Sequence, residues 1–154
     1  MGQLQNAFDI VQKAGLLITV SHIHLYSGLA HLALGDVTRA SGRLRQALNL
    51  YRELDAVEFV HYALTALGML AQAQAQPARA GRLLGAAEML RERAQKWPWF
   101  WAVDRWYWVM NRRVHERLVQ AVSSLRDDPA TAGAWVEGRQ MAPDEAVAYA
   151  LQCA

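Results

Sequence analysis

The chain matches itself when it is shifted by about 40 residues, and this repetition constrains its fold more than any other feature. Three segments match at this shift: Leu4, Ala7 and Ile10; Leu44, Ala47 and Leu50; Leu84, Ala87 and Leu90. Gly28 matches Gly68, and Ala40 matches Ala80. Spacings of three residues place the matched side chains on one face of a helix. The repetition therefore predicts stacked helices, with small residues where two backbones come close.

Residues that start or stop helices divide this array. Gly35 and Asp36 end one helix and cap the next, and Asp55 separates a second pair. Proline suits the first turn of a helix, as at Pro77. The predicted helices cover residues 2–14, 17–34, 37–53, 56–74, 77–95, 98–125, 129–138 and 143–152. No sustained alternation or hairpin signal indicates strands, and short connections imply antiparallel neighbours. We predict an all-α chain, an α-solenoid of antiparallel helix pairs.

The composition fits one packed domain, residues 1–154, with little net charge. Hydrophobic residues make up 53% and charged residues 19%, and the net charge is +2. This balance predicts no direct binding to nucleic acid. Residues 1–5 lack the features of a signal peptide, and polar residues interrupt every apolar run, so we expect no membrane span and a cytoplasmic location. The single Cys153 excludes an internal disulfide.

The residue types that carry catalysis or bind metals do not converge in the sequence. No phosphate-binding loop motif is present. His24 and His31 share a helix face, but no third ligand accompanies them. The acidic pairs Asp127-Asp128 and Asp144-Glu145 stand at predicted helix starts, where carboxylates complement the helix dipole. We expect no enzymatic activity, no cofactor and no metal site.

Five of the six tryptophans fall within residues 97–108. A helical wheel of this region gives one continuous apolar stripe: Phe100, Val103, Tyr107, Met110, Val114, Leu118 and Ala121. Trp97, Trp101, Trp108 and His115 fall roughly 100° away from that stripe. These four residues pack beneath the last two helices, line a ligand or peptide groove, or contact a second subunit. The large apolar area of indole favours packing.

One run of residues resembles the consensus of the tetratricopeptide repeat, which has small, large and small residues at fixed offsets. The run is Gly28-x-x-His31-x-x-x-Gly35 followed by Ala40, Leu44 and Ala47, and it recurs as Gly68, Ala71, Ala80, Leu84 and Ala87. His31 and Ala71 replace the usual aromatic, and Ala75 replaces the usual glycine. The period exceeds the common one of about 34 and resembles the longer repeats of MalT-like regulators.

Two C-terminal segments are similar to the closing region of large bacterial ATP-dependent regulators of the LuxR and AfsR types. The similarity is most specific over residues 79–92 and 132–151. In those regulators this region is a sensor or scaffold that follows an ATPase module, and this chain carries no such module. The resemblance implies a half repeat at 1–14, repeats at 17–53 and 56–95, and an atypical Trp-rich cap at 98–154.

The resemblance implies a noncatalytic domain, part or relative of a bacterial transcriptional regulator, that binds a protein, a peptide or a small effector. Its binding surface would be the concave side lined by the first helix of each pair. The candidate residues there are His22, Leu25, Leu29, Tyr62, Thr65 and Met69, for which ordinary packing is the competing explanation. A structural module that forms homodimers is the alternative, because an unpaired half repeat exposes an apolar edge. A small helical enzyme is the third.

Overall fold

A computed structural model of the chain describes residues 2–96 and 112–152. The helices in these ranges are α1 (Gly2–Ala33), α2 (Val37–Glu53), α3 (Val57–Ala73), α4 (Pro77–Ala94), α5 (Arg112–Arg126), α6 (Pro129–Gln140) and α7 (Pro143–Leu151). No residue within them forms a strand, so the predicted all-α class is confirmed for the described part of the chain.

The same tight turn joins α1 to α2, α2 to α3, and α3 to α4. One residue in each turn has a left-handed backbone: Gly35 with φ of 78°, Asp55 with 52° and Ala75 with 57°. In each turn the next amide donates to the carbonyl five residues before it, at 2.9 Å. This is the hydrogen bond of a Schellman helix end. The turns therefore recur at even spacing along the chain and reverse its direction in the same way each time.

Predicted start signals for several helices are confirmed. The Asp36 carboxylate accepts a hydrogen bond from the Arg39 amide at 3.1 Å and so caps α2. Asp128 caps α6 in the same way, through the amide of Ala130 at 2.9 Å. Prolines occupy the first turns of α4, α6 and α7. These helix starts lie within a residue of their predicted positions.

α1 packs against α2, and α3 against α4, through one repeated contact between a glycine and a leucine. A Cβ atom placed on Gly28 would lie 2.5 Å from Cδ2 of Leu44. One placed on Gly68 would lie 2.7 Å from Cγ of Leu84. The second contact falls at the same sequence shift from the first as the other matched residues do. Both leucines are buried, so each contact is part of the hydrophobic core.

α6 crosses α4 at a distance that excludes even a methyl group. A Cβ atom on Gly85 would overlap the carbonyl oxygen of Trp135, and one on Gly138 would overlap the carbonyl of Arg82. Two ion pairs flank this crossing. Nε of Arg82 lies 2.6 Å from Glu137, and Nη2 of Arg139 lies 2.9 Å from Glu92.

α7 returns to the side of the molecule formed by α2, α3 and α4. Its Ala146, Val147 and Ala150 side chains are buried there. The Arg79 guanidinium donates to carbonyls at the end of α7, the shortest bond being 2.9 Å to Gln152. Arg45 donates to the carbonyl of Leu151. Arginines of α2 and α4 therefore satisfy carbonyls that a helix end leaves without partners.

The predicted break between residues 14 and 17 is wrong, because α1 runs without interruption through Gly15 and Leu16. A glycine inside a helix costs only about 1 kcal/mol, and no proline follows to end the helix. The start of the predicted helix 98–125 lies outside the described residues, and α5 ends at Arg126.

The sequence argument that no segment is long and apolar enough to cross a membrane does not hold for α1, while the absence of a membrane span stays a prediction. Residues Gln12–Ala33 of α1 pass that test by length and composition. The residues that interrupt this segment are largely histidine, serine and threonine, which lower its apolar character less than charged residues do. The core helices of soluble proteins pass the same test but are mostly buried, whereas only 22% of this apolar stretch is buried, Ser21 and Leu25 included.

Candidate functional site

The three candidate binding residues of α1 lie against the core. Leu25 is 2% exposed and Leu29 is 9% exposed, so both hold α1 to the rest of the bundle. His22 is partly buried where α1, α2 and α3 meet. Its Nδ1 lies 2.7 Å from the Tyr51 hydroxyl, and its ring packs edge-on against Phe59 with centroids 4.9 Å apart. Burial lowers the pKa of His22 to about 4, so its ring is neutral at pH 7.

Two of the three candidate residues on α3 line an open pocket. The buried Tyr62 ring packs on the ring of His61, with centroids 3.9 Å apart. The Thr65 hydroxyl donates to the carbonyl of His61 at 2.7 Å. Met69 is half-buried, packs against the core and is not part of the pocket lining. The pocket therefore brings together Tyr62 and Thr65 but not the candidates on α1.

The pocket has a volume of about 240 Å³ and lies between α3, α4 and α5. Its apolar lining includes Tyr62 from α3, Leu84 and Ala87 from α4, and Val122 from α5. The first three of these side chains are buried, and Val122 packs against the same core. Ligand pockets typically span roughly 300–1,000 Å³, so this one suits a small molecule or one or two peptide side chains.

Charged side chains from two helices stand around this apolar lining. Glu88 and Arg91 come from α4, and Arg126 comes from α5. The Glu88 carboxylate lies 3.2 Å from Nη1 of Arg139, and Nε of Arg126 lies 3.1 Å from the Asp127 carboxylate. Arg91 forms no ion pair with any residue in the described ranges. The pKa of Glu92 is lowered by its hydrogen bond to Arg139 and, to a smaller degree, by the charge of Arg91, so this carboxylate near Arg91 is already held by another arginine.

Comparison with protein-family models, curated proteins and solved structures finds no match to this chain.

The tryptophan candidates remain predictions. Trp97, Trp101 and Trp108 lie outside the described residues. His115 falls within α5, but its side chain lies outside them. Over residues 2–96 and 112–152, no group of three or more His, Cys, Asp or Glu side chains is arranged to hold a metal ion.

Sequence reasoning missed most of the pocket. Leu84, Glu88 and Arg91 have helical spacing that places them on one face of α4, and this spacing was the available signal. Val119, Val122 and Arg126 share a face of α5 in the same way. Neither pattern predicts that α4 and α5 contact each other, because tertiary packing and not a local motif brings them together.

Proposed function

We propose that this chain is a noncatalytic recognition domain that binds a small effector or the end of a peptide in the pocket between α3, α4 and α5. The observation that carries the proposal is the pocket itself, in which apolar side chains from three helices adjoin a small number of polar groups. This is the usual construction of a binding site, where apolar walls provide affinity and polar groups fix the orientation of the ligand.

We further propose that the fold is a tetratricopeptide-like solenoid with a period of about 40 residues. The turns at residues 35, 55 and 75, and the equivalent contacts of Gly28 with Leu44 and Gly68 with Leu84, support it. The proposed place of the domain, at the C-terminal end of a cytoplasmic bacterial regulator of the LuxR type or in a relative of one, rests on the sequence resemblance over residues 79–92 and 132–151.

A neutral apolar probe tests the pocket as a binding site. Octan-1-ol carries no charge, so its binding depends on the apolar lining alone, and we expect saturable chemical-shift changes in α3, α4 and α5. Ser123→Phe places a large ring in the pocket and should abolish these changes. Ser124→Phe, at an exposed neighbour outside the lining, is the matched control. Saturable binding that survives Ser123→Phe places the probe elsewhere and contradicts the proposal.

Self-association is the second candidate function, and one surface of α1 favours it. Leu16, Val20 and Ile23 are spaced i, i+4 and i+7, and they are 62%, 40% and 61% exposed. Apolar side chains grouped on one helix face commonly mark a protein contact. Sedimentation of the wild-type chain and of Ile23→Glu should then differ in mass, whereas Gln120→Glu, at an exposed position of α5, should behave like the wild type. A wild-type monomer at high micromolar concentration eliminates this candidate.

A further inference from the structure

We infer that the pocket between α3, α4 and α5 takes a ligand with an apolar body and a single terminal carboxylate, whose charge pairs with Arg91. The inference rests on the proposed function of the pocket and adds the chemical class of its ligand. Free carboxylic acids and the C-terminal residue of a peptide share this chemistry.

The apolar body follows from the side chains inside the pocket. Tyr62, Leu84 and Ala87 are 7%, 1% and 3% exposed, and all three contribute to the lining. An apolar group inserted among them would remove further apolar surface from water, which contributes roughly 25 cal/mol per Å². At about 240 Å³ the pocket is small, so the inserted group has the size of a short alkyl chain or a single large side chain.

The negative charge follows from the pairing of the ionic side chains around the pocket. Glu88 is engaged with Arg139, and Arg126 is engaged with Asp127. Arg91 is exposed and forms no ion pair in the described ranges, so its guanidinium is available to a ligand. Guanidinium groups bind carboxylates with two parallel hydrogen bonds, which fixes the orientation as well as adding affinity.

The charged side chains around the pocket favour a ligand that carries a single negative charge. A phosphate monoester brings nearly two negative charges, and a second cation would be needed to balance them. The other arginine of the lining is already paired, and the Glu88 carboxylate stands one helical turn from Arg91. The Ser123 hydroxyl also lines the pocket, where it offers one hydrogen-bond donor to a carboxylate. A monoanion therefore fits the lining better than a dianion.

Calorimetric titration with matched probes tests the inference. Octanoate and octan-1-ol have the same total number of carbon atoms and differ only at one end, where a carboxylate replaces a hydroxymethyl group, so their difference in affinity reports that replacement. We expect octanoate to bind up to about fivefold more tightly, the usual effect of an ion pair with an exposed side chain. Arg91→Gln should remove this difference, which is read as the ratio of the two affinities within each variant. Arg93→Gln removes an exposed charge outside the lining two residues away and should keep the difference.

A second arm separates the two sources of the carboxylate. The peptide acetyl-Gly-Gly-Leu is titrated as its free acid and as its amide. Tighter binding of the free acid, lost in Arg91→Gln, identifies a peptide C-terminus, whereas tight binding of octanoate alone identifies a free carboxylic acid.

Three results would overturn the inference, alone or together with the proposed function. Equal affinities of octanoate and octan-1-ol defeat the carboxylate but leave the pocket as a binding site. An equal loss of octanoate affinity in Arg91→Gln and Arg93→Gln shows a general charge effect and also defeats it. Failure of every probe, octan-1-ol included, overturns the proposed function together with this inference.

Discussion

At the scale of single residues, His22 links stability to pH. Its ring is partly buried against Tyr51 and Phe59, and burial lowers its pKa from 6.5 to about 4. An unfolded chain protonates this histidine below pH 6.5, whereas the folded chain resists protonation until about pH 4. Between these values the unfolded state binds more protons, so the folded state loses stability as the pH falls.

We expect the contribution of His22 to be complete above pH 6.5 and to disappear as the pH approaches 4. The shift corresponds to roughly 3 kcal/mol, which partial exposure of the ring reduces to about 1–2 kcal/mol. Urea unfolding at pH 7 and pH 4.5 measures it. His22→Gln should lose less stability between the two pH values than the wild type, because both proteins share all other titrating groups. Identical losses would contradict the burial argument.

At the scale of helices, the crossing of α4 and α6 depends on glycines that have no room for a side chain. At Gly85 the obstacle is the backbone carbonyl of Trp135, which cannot rotate away as the Leu44 side chain can from Gly28. We expect Gly85→Ala to destabilise the fold by about 3 kcal/mol or more and Gly28→Ala by about 1 kcal/mol. Thermal and urea unfolding give both values.

Gly42 provides the control for this comparison. It lies inside α2, is exposed, and no described atom would come within 4 Å of a Cβ atom added there. Gly42→Ala should therefore stabilise the protein by roughly 0.5–1 kcal/mol, the helix-propensity difference alone. A Gly85→Ala variant as stable as Gly42→Ala would show that the two helices are further apart than described.

The attachment of α7 gives a separate prediction. Arg79 holds the end of this helix through carbonyl hydrogen bonds, and its guanidinium carbon lies 5.2 Å from the centre of the Tyr149 ring. Arg79→Gln should weaken this attachment by about 1–3 kcal/mol and speed amide exchange in α7 before it affects α3. Arg52→Gln, an exposed arginine in the last turn of α2, should leave α7 protected. Equal amide exchange of α7 in the two variants would show that Arg79 does not hold α7 in place.

Most helix boundaries could be predicted because their signals are local. Asp36 and Pro77 act on the first turn of their own helices, so neighbouring sequence is enough to place them. The left-handed turns at Asp55 and Ala75 carry no glycine and so give a weaker signal, although both residues lie between predicted helices. The continuity of α1 through Gly15 was not predictable in this way, because the small cost of one glycine is overridden by the helix around it.

At the scale of the whole molecule, the pocket required information that no single segment contains. Tyr62 and Thr65 were candidates from the resemblance, but the pocket exists only where α5 meets α3 and α4. Residues 95–111 separate α5 from α4 in the sequence, so the meeting of α5 with α3 and α4 depends on the packing of the bundle. The charge state of the pocket also depends on distant residues, since Arg139 on α6 is what neutralises Glu88 on α4.

The proposed solenoid predicts that substitutions of equivalent core residues destabilise different sets of helices. Leu44 and Leu84 are both almost fully buried, and each packs on a glycine of the helix that precedes its own. Truncation to alanine should remove about 2–5 kcal/mol at either site. In a repeat array, each helix pair is stabilised mainly by the pairs next to it. Leu44→Ala should therefore loosen α1 and α2, whereas Leu84→Ala should loosen α3 and α4, on which α6 also packs.

Hydrogen exchange measured segment by segment separates this behaviour from that of one cooperative core. We expect Leu44→Ala to lose protection in α1 and α2 while α4 and α6 keep theirs, and Leu84→Ala to lose protection in α3, α4 and α6 while α1 keeps its own. The α4–α6 crossing supports this expectation, because its glycine contacts and the Arg139–Glu92 pair connect α6 to α4 and not to α1 or α2. Equal loss of protection in all described helices of both variants would mean that these helices unfold as a single unit. That result would contradict the proposed solenoid.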